Sequence, residues 1–228
     1  MFKAVLFDLD GTLLYTLTDV ADAMNKSLSH FGFPVHPVEA YKYFIGDSLE
    51  VEAYRALPES RRDEETIKKV SLYSEEIYDK CWGDNTHPYP GIPELLTELP
   101  RHGLTSVILS NKNNRFTKVM VEKILSRWRF KIVQGALPDV PLKPDPTMAL
   151  QIAKKLRIPP EQFLYLGDTN TDMQTAVSAG MFPVGCLWGY RTADELLASG
   201  AKAIINTPAE VLDIINNPPN ERRTSPRK

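Results

Sequence analysis

Apolar residues along the chain alternate between two rhythms. Short β-rich runs occur at Lys3–Phe7, Leu104–Leu109, Lys131–Val133, Phe163–Leu166 and Phe182–Leu187, each bounded by Gly, Asp, Asn or Pro. Between them the spacing becomes helical. Phe116, Val119, Met120 and Ile124 fall on one helix face, and Ala149, Ile152, Ala153 and Leu156 on another. Strands alternating with helices of this length predict an α/β fold, a parallel sheet core with helices on both faces. The stretch from Tyr15 to His87 breaks the pattern, with no convincing strand and at least two amphipathic helices. Leu17, Val20, Ala21, Met24, Leu28 and Phe31 form one stripe. Ile67, Val70, Ser74, Ile77 and Cys81 form a second, in a segment beginning near Arg61 and ending before Gly83. This reads as an all-helical cap inserted after the first strand, with His87-Pro88-Tyr89-Pro90-Gly91 as the return hinge. The expected division is a core of residues 1–14 and 88–217, a cap of residues 15–87, and an unstructured tail of residues 218–228, which holds no large apolar side chain.

Composition narrows the possibilities without naming any. At 228 residues the chain can bury a core without metal or disulfide staples. Lys and Arg number 27 against 29 Asp and Glu, so no global charge draws the chain to nucleic acid or an anionic membrane. No run approaches the ~18 uncharged apolar residues of a membrane span, and the first residues lack the pattern of a signal peptide. With only Cys81 and Cys186, widely separated, a reducing cytoplasm is the expected location. The four histidines have no metal-ligand spacing.

The chemistry-bearing residues collect at strand ends. Asp8-Leu9-Asp10-Gly11-Thr12-Leu13 follows the first strand, where open parallel sheets bind their ligands. Alternation puts Asp8 and Asp10 on one side, and carboxylates so close need a cation or a shared proton. That suits a hard metal such as Mg²⁺, with one aspartate attacking and the other trading a proton; two loop aspartates capping a helix are the plainer alternative. After the next core strand, Ser110-Asn111-Lys112-Asn113 offers a hydroxyl, an amide and N–H groups at an expected helix N-terminus, a phosphate cradle or an ordinary N-cap. Lys143-Pro144-Asp145-Pro146 is a stiff turn presenting one lysine before a helix. Gly167-Asp168-Thr169-Asn170-Thr171-Asp172 again joins a strand end to a helix, with Asp168 placed to reach a metal or to cap, and Asp172 in the first helical turn.

Together these four segments resemble the ordered motifs of the haloacid dehalogenase superfamily, and the resemblance covers nearly the whole chain. It implies a Rossmannoid core, a helical cap and Mg²⁺-dependent phosphoryl transfer through an aspartyl phosphate. By the same resemblance Asp8 is the nucleophile and Asp10 the general acid and base. Ser110 and Asn111 hold phosphoryl oxygens, and Lys143 offsets charge on nucleophile and phosphoryl group. The metal is held by Asp8, the Asp10 carbonyl and Asp168, with Asp172 a direct or neighbouring partner. Relatives that cleave C–Cl or C–P bonds lack an aspartate at the position of Asp10, so the resemblance implies a phosphatase or phosphomutase. Ile45-Gly46-Asp47, Arg55-Ala56-Leu57-Pro58, Tyr89-Pro90-Gly91 and Trp188-Gly189-Tyr190-Arg191 are similar to segments of the phosphoglycolate phosphatase group. Pyrophosphatases and sugar-phosphate mutases share much of this pattern. Lys112, Asp47 and Ser48 are the expected readers of a small phosphate ester substrate. Arg191 is a candidate anion contact, Trp188 and Tyr190 read as packing residues, and Gly46 reads as a turn. A receiver-type signalling module also combines clustered acids, Ser/Thr, Lys and an aspartyl phosphate, but the insert after the first acids and the later acid pair favour an enzyme.

Overall fold

The computed structural model describes residues 1–218; the expected unstructured tail falls, from residue 219 onward, outside the described residues. In chain order the elements are β1 (Ala4–Phe7), β2 (Leu14–Tyr15), α1 (Leu17–His30), α2 (Tyr41–Phe44), α3 (Leu49–Ala56), α4 (Glu64–Cys81), β3 (His87–Pro88), α5 (Ile92–Glu98) and β4 (Thr105–Asn113). There follow α6 (Asn114–Ile124), β5 (Ile132–Ala136), α7 (Thr147–Leu156), β6 (Phe163–Gly167), α8 (Asn170–Ser178), β7 (Phe182–Cys186), α9 (Ala193–Ala198), β8 (Ala203–Ile205) and α10 (Glu210–Asn216). Among the described residues no helix is long and apolar enough to cross a membrane.

Six parallel strands form one sheet in the order β5-β4-β1-β6-β7-β8. β1 is buried along its whole length, as a strand covered on both faces must be, and its alternation sorts the core. Val5 and Phe7 pack with Leu95, Phe116, Met120 and Val211 on one face. Ala4 and Leu6 pack with Ala149, Ile152, Tyr165 and Ala176 on the other. The chain leaves β1 toward β4 and β5, then returns to β1's other side for β6. This reversal opens a crevice at the carboxyl ends of β1, β4 and β6. The strand β8 escaped the sequence reading, because three residues after a glycine carry too little pattern.

The helical insertion has its own apolar centre, in which Leu17, Met24 and Leu28 of α1 meet Tyr41, Ala53, Ala56 and Val70. Phe31, expected to extend the α1 stripe, instead follows the helix and is exposed. Tyr15 and His87, in a stretch expected to hold no convincing strand, also lie in strands. Leu14–Tyr15 pairs antiparallel with His87–Pro88, so a two-stranded ribbon joins the insertion to the sheet. The Tyr15 ring lies 5.2 Å from His87 and 6.0 Å from Tyr89.

Asp19, in the first turn of α1, anchors this ribbon. Its buried carboxylate accepts from Asn85 N and Nδ2 at 3.0 and 2.8 Å and from Thr86 N and Oγ1 at 2.9 and 2.7 Å. Asp19→Ala would strand these donors, and the expected loss is about 2 kcal/mol of unfolding free energy. Urea denaturation measures it; an unchanged midpoint would show that the anchor contributes nothing.

Candidate active site

The sharp return after β1 brings the first two acids together. Leu14 N donates to Leu9 O and Gly11 N to Leu14 O, both at 2.9 Å, which folds residues 9–14 into a tight loop. Gly11 has φ +80°, and a side chain there would run into the Asp168 carboxylate. Asp8 and Asp10 therefore line one cavity with Ser110, Asn111, Lys112 and Lys143.

Lys143 is the centre of the charge arrangement. Its Nζ lies 2.8 Å from Asp8 Oδ1 and 2.7 Å from Asp172 Oδ1, with all three groups buried. Burial disfavours its charge, but the carboxylates of Asp172 and Asp8 outweigh that and hold it well above the ordinary lysine range. Burial and then the Asp172 charge push the Asp8 carboxyl up, against the pull of Lys143. Asp172 itself closes a capping box, its Oδ2 accepting from Thr169 N at 3.1 Å and Thr169 Oγ1 at 2.6 Å. Asp168 does not cap the helix. It accepts from Thr12 Oγ1 at 2.8 Å and from Tyr190 N at 2.9 Å. Burial and the neighbouring Asp172 raise it to about 7, against these two hydrogen bonds.

Oxygen atoms of Asp8, Asp168 and Asp172 all lie within 4.8 Å of one another. Three buried carboxyls share one lysine, and Oδ1 of Asp10 beside them is buried without a hydrogen-bonding partner among the described residues. A compact, oxygen-only, charge-deficient donor set fits a hard divalent cation.

The segment after β4 differs from its expected form. Pairing with β5 carries the strand through Asn113, with a register irregularity after Leu109. The helix begins at Asn114, and the Asn113 side chain caps it by accepting from Arg115 N at 2.9 Å. Residues 110–112 therefore do not form a helix N-terminus. Ser110 Oγ accepts from Lys112 N at 3.2 Å. The Asn111 side chain is taken up by backbone: Nδ2 donates to Gly46 O and Lys143 O at 3.0 Å, and Oδ1 accepts from Lys143 N at 2.9 Å. Lys112 Nζ sits 3.2 Å from Asp10 Oδ2 and 4.6 Å from the centre of the Tyr78 ring. Arg191 does not line the cavity; it donates to Lys42 O and Ile45 O and covers the Tyr43 ring. Asp47 lines the cavity while paired with Arg55, and Ser48 caps α3 by accepting from Val51 N at 3.3 Å. Trp188 packs as read, its Nε1 donating to Thr12 O at 2.9 Å; Tyr190 is buried and also lines the cavity.

The sequence and the fold are both matched by known proteins. A profile of haloacid dehalogenase-like hydrolases matches residues 5–186. The chain belongs to the haloacid dehalogenase-like hydrolase family. A Chromobacterium violaceum protein named phosphoglycolate phosphatase is 30% identical over 220 residues, covering 94% of this chain and 97% of the relative. Phosphoglycolate phosphatase 1 of Pseudomonas aeruginosa is 30% identical, covering 92% of this chain and 78% of its own length. Among solved structures, a Lactobacillus delbrueckii subsp. bulgaricus protein described as a candidate phosphoglycolate phosphatase superposes with a TM-score of 0.88 at 28% identity, covering 94% of this chain and 98% of that one. The α/β fold described above is the one shared with that structure.

Among the cavity residues not expected from sequence, one buried acid stands out. Glu52 of α3 is 7% exposed, and its Oε1 has no hydrogen-bonding partner among the described residues. A signal for it exists, since Leu49, Glu52, Ala53 and Ala56 share one face and the glutamate is the only charge on it. Burial raises its carboxyl to about 8, against the attraction of Lys112 and with a further push from Asp10. The unfolded chain releases this proton near the ordinary value of 4.5. Between those two values the folded state holds a proton that the unfolded state lacks, so stability falls as pH rises through the window and levels off above it. Glu52→Gln removes the titration, and its stability over the parent is expected to grow between about pH 5 and 8 by on the order of a few kcal/mol. Urea midpoints at each pH check this; a pH-independent difference would rule out the buried carboxyl as the cause.

Proposed function

We propose that the protein is a Mg²⁺-dependent phosphomonoesterase that hydrolyses a small phosphorylated metabolite through an aspartyl phosphate on Asp8. The convergence of Asp8, Asp168 and Asp172 around Lys143 at the carboxyl ends of the sheet carries this reading. The names of the relatives support it and make 2-phosphoglycolate the first ester to test, followed by pyrophosphate and sugar phosphates.

In this mechanism an Asp8 carboxylate oxygen attacks phosphorus as the bond to the alcohol oxygen breaks. Asp10 gives its proton to the departing oxygen, then takes one from water. That water attacks phosphorus, the bond to Asp8 breaks, and phosphate leaves with Asp8 restored. Lys143 lies against the nucleophile and offsets charge there and on the phosphoryl oxygens. Ser110 Oγ accepts from Lys112 N and keeps its own proton to give to a phosphoryl oxygen. Asn111, whose amide bonds both ends of the Lys143 peptide unit, acts by positioning that lysine. Asp8, the Asp10 carbonyl and Asp168, with Asp172 adjacent, would hold Mg²⁺, which when bound neutralises charge on the transferring group. Residues 15–87 act as a cap over a core of residues 1–14 and 88–217, shielding the attack from bulk water and opening for release.

Asp8→Asn is expected to lower Mg²⁺-dependent phosphate release at least about a thousandfold while leaving the thermal unfolding transition in place. Phosphate release from an ester panel, with Mg²⁺ and with chelator, measures this. Near-parent turnover by the variant would remove Asp8 from the nucleophile role.

A further inference from the structure

The cavity is lined by Asp8, Asp10, Ser110, Lys112 and Lys143 from the sheet and its loops and by residues of the helical insertion. Val20 and Leu49 of the insertion and Phe116 of α6 supply an apolar wall, together with the carboxyl side chains of Asp47, Glu52 and Glu75. The nearby cations are already engaged. Arg55 pairs with Asp47 and donates to Phe44 O at 2.9 Å, Lys112 lies against Asp10, and Arg191 is held by backbone carbonyls. Glu75 accepts from Asn113 Nδ2 at 3.2 Å. Glu52 differs, because it is buried, faces the cavity and leaves Oε1 without a hydrogen-bonding partner among the described residues. An unpaired buried carboxyl destabilises the fold that carries it, and a ligand that completes its hydrogen bonding relieves that penalty.

We propose that Glu52 is the specificity-determining residue of the leaving-group pocket, hydrogen-bonding a free hydroxyl on the organic half of the phosphate ester. The proposal rests on the phosphomonoesterase reading and assigns its substrate class: the phosphate ester of a small polyol or sugar. A hydroxyl both donates and accepts, so it satisfies the carboxyl with no new charge in the pocket. The carboxylate of 2-phosphoglycolate would instead bring a charge to a wall whose cations are already engaged, Arg55 by Asp47 and Lys112 by Asp10. The wall can thus discriminate between esters that the catalytic groups treat alike, since a buried polar group left unpaired by the wrong substrate is a strong basis for rejection.

The test compares kcat/KM of the parent, Glu52→Gln and Glu52→Leu with Mg²⁺ on glycerol 3-phosphate, hexose 6-phosphates, 2-phosphoglycolate, ethanolamine phosphate and acetyl phosphate. Thermal melts confirm that each variant is folded, and the isosteric Gln variant serves if Leu disturbs the insertion. The parent is expected to prefer at least one hydroxyl-bearing ester over 2-phosphoglycolate by at least about tenfold. Glu52→Leu is expected to cut the ratio of that ester to acetyl phosphate by at least about tenfold, chiefly through KM, with Gln intermediate. A parent preference for 2-phosphoglycolate or ethanolamine phosphate, or unchanged ratios in both variants, overturns the Glu52 assignment and leaves the phosphatase reading standing. No Mg²⁺-dependent release from acetyl phosphate or any other ester overturns that reading, and the Glu52 proposal with it.

Discussion

Three buried carboxyl groups brought to within 4.8 Å of one another are the constraint on which the site depends. Like charges in a low-dielectric interior repel strongly, so the arrangement persists only where the surrounding fold determines each position independently. The sheet does this by giving each group a different anchor. β1 delivers Asp8, the capping box of α8 fixes Asp172, and Thr12 with the Tyr190 N–H fixes Asp168. Lys143 enters from the loop after β5 and bridges Asp8 and Asp172. Asn111, at the end of β4, grips the backbone of that loop. The site therefore draws on the ends of four strands, and its charge balance exists only in the assembled sheet. What remains uncompensated is negative, which accounts for the fit to a divalent cation better than any single residue does.

Much of this was legible because each contribution is local in sequence. A buried β-run, an acid and a turn-forming glycine stand side by side in residues 4–11, and Gly167 to Asp172 repeats the design. What could not be read depends on partners far along the chain. Ser and Asn after Leu109 carry the chemistry of an N-cap, yet pairing with β5 keeps them extended and passes the capping role to Asn113. Asn111 and Arg191 have side chains suited to phosphate, but backbone carbonyls of the 42–46 segment and the Lys143 turn take up their donors. Nothing in a local window reveals a carbonyl brought in from an inserted helix pair. Glu52 was missed for a related reason: a glutamate reads as a solvated face until its helix neighbours, Leu49, Ala53 and Ala56, are recognised as inward-facing.

The two parts of the molecule carry different information. The acids, the lysine and the loops that hold them answer to the geometry of phosphoryl transfer, which leaves little freedom for variation. The insertion is under no such constraint, and about 30% identity to relatives leaves ample freedom there. A shared reaction is thus a firmer consequence of family membership than a shared substrate. The acidic, partly apolar wall contributed by α3 and α4 is where this chain can depart from its relatives while keeping their chemistry.

The contacts between insertion and sheet suggest how that wall and the catalytic groups work as a unit. At the ribbon, the buried Asp19 carboxylate gathers backbone and side-chain donors from Asn85 and Thr86, four hydrogen bonds to one charged group. At the opposite edge, loop carbonyls of Lys42, Ile45 and Gly46 accept from Arg191, Asn111 and Thr171. Such bonds exchange with water at small net cost once the edge is exposed. Gly46 has φ +124°, a conformation suited to glycine at this contact. The Asn111 amide bonds both the Gly46 carbonyl and the backbone of Lys143. The contact with Gly46 and the backbone position of Lys143, whose Nζ lies against Asp8, are thereby joined through one side chain, so the insertion and the charge arrangement share a structural link.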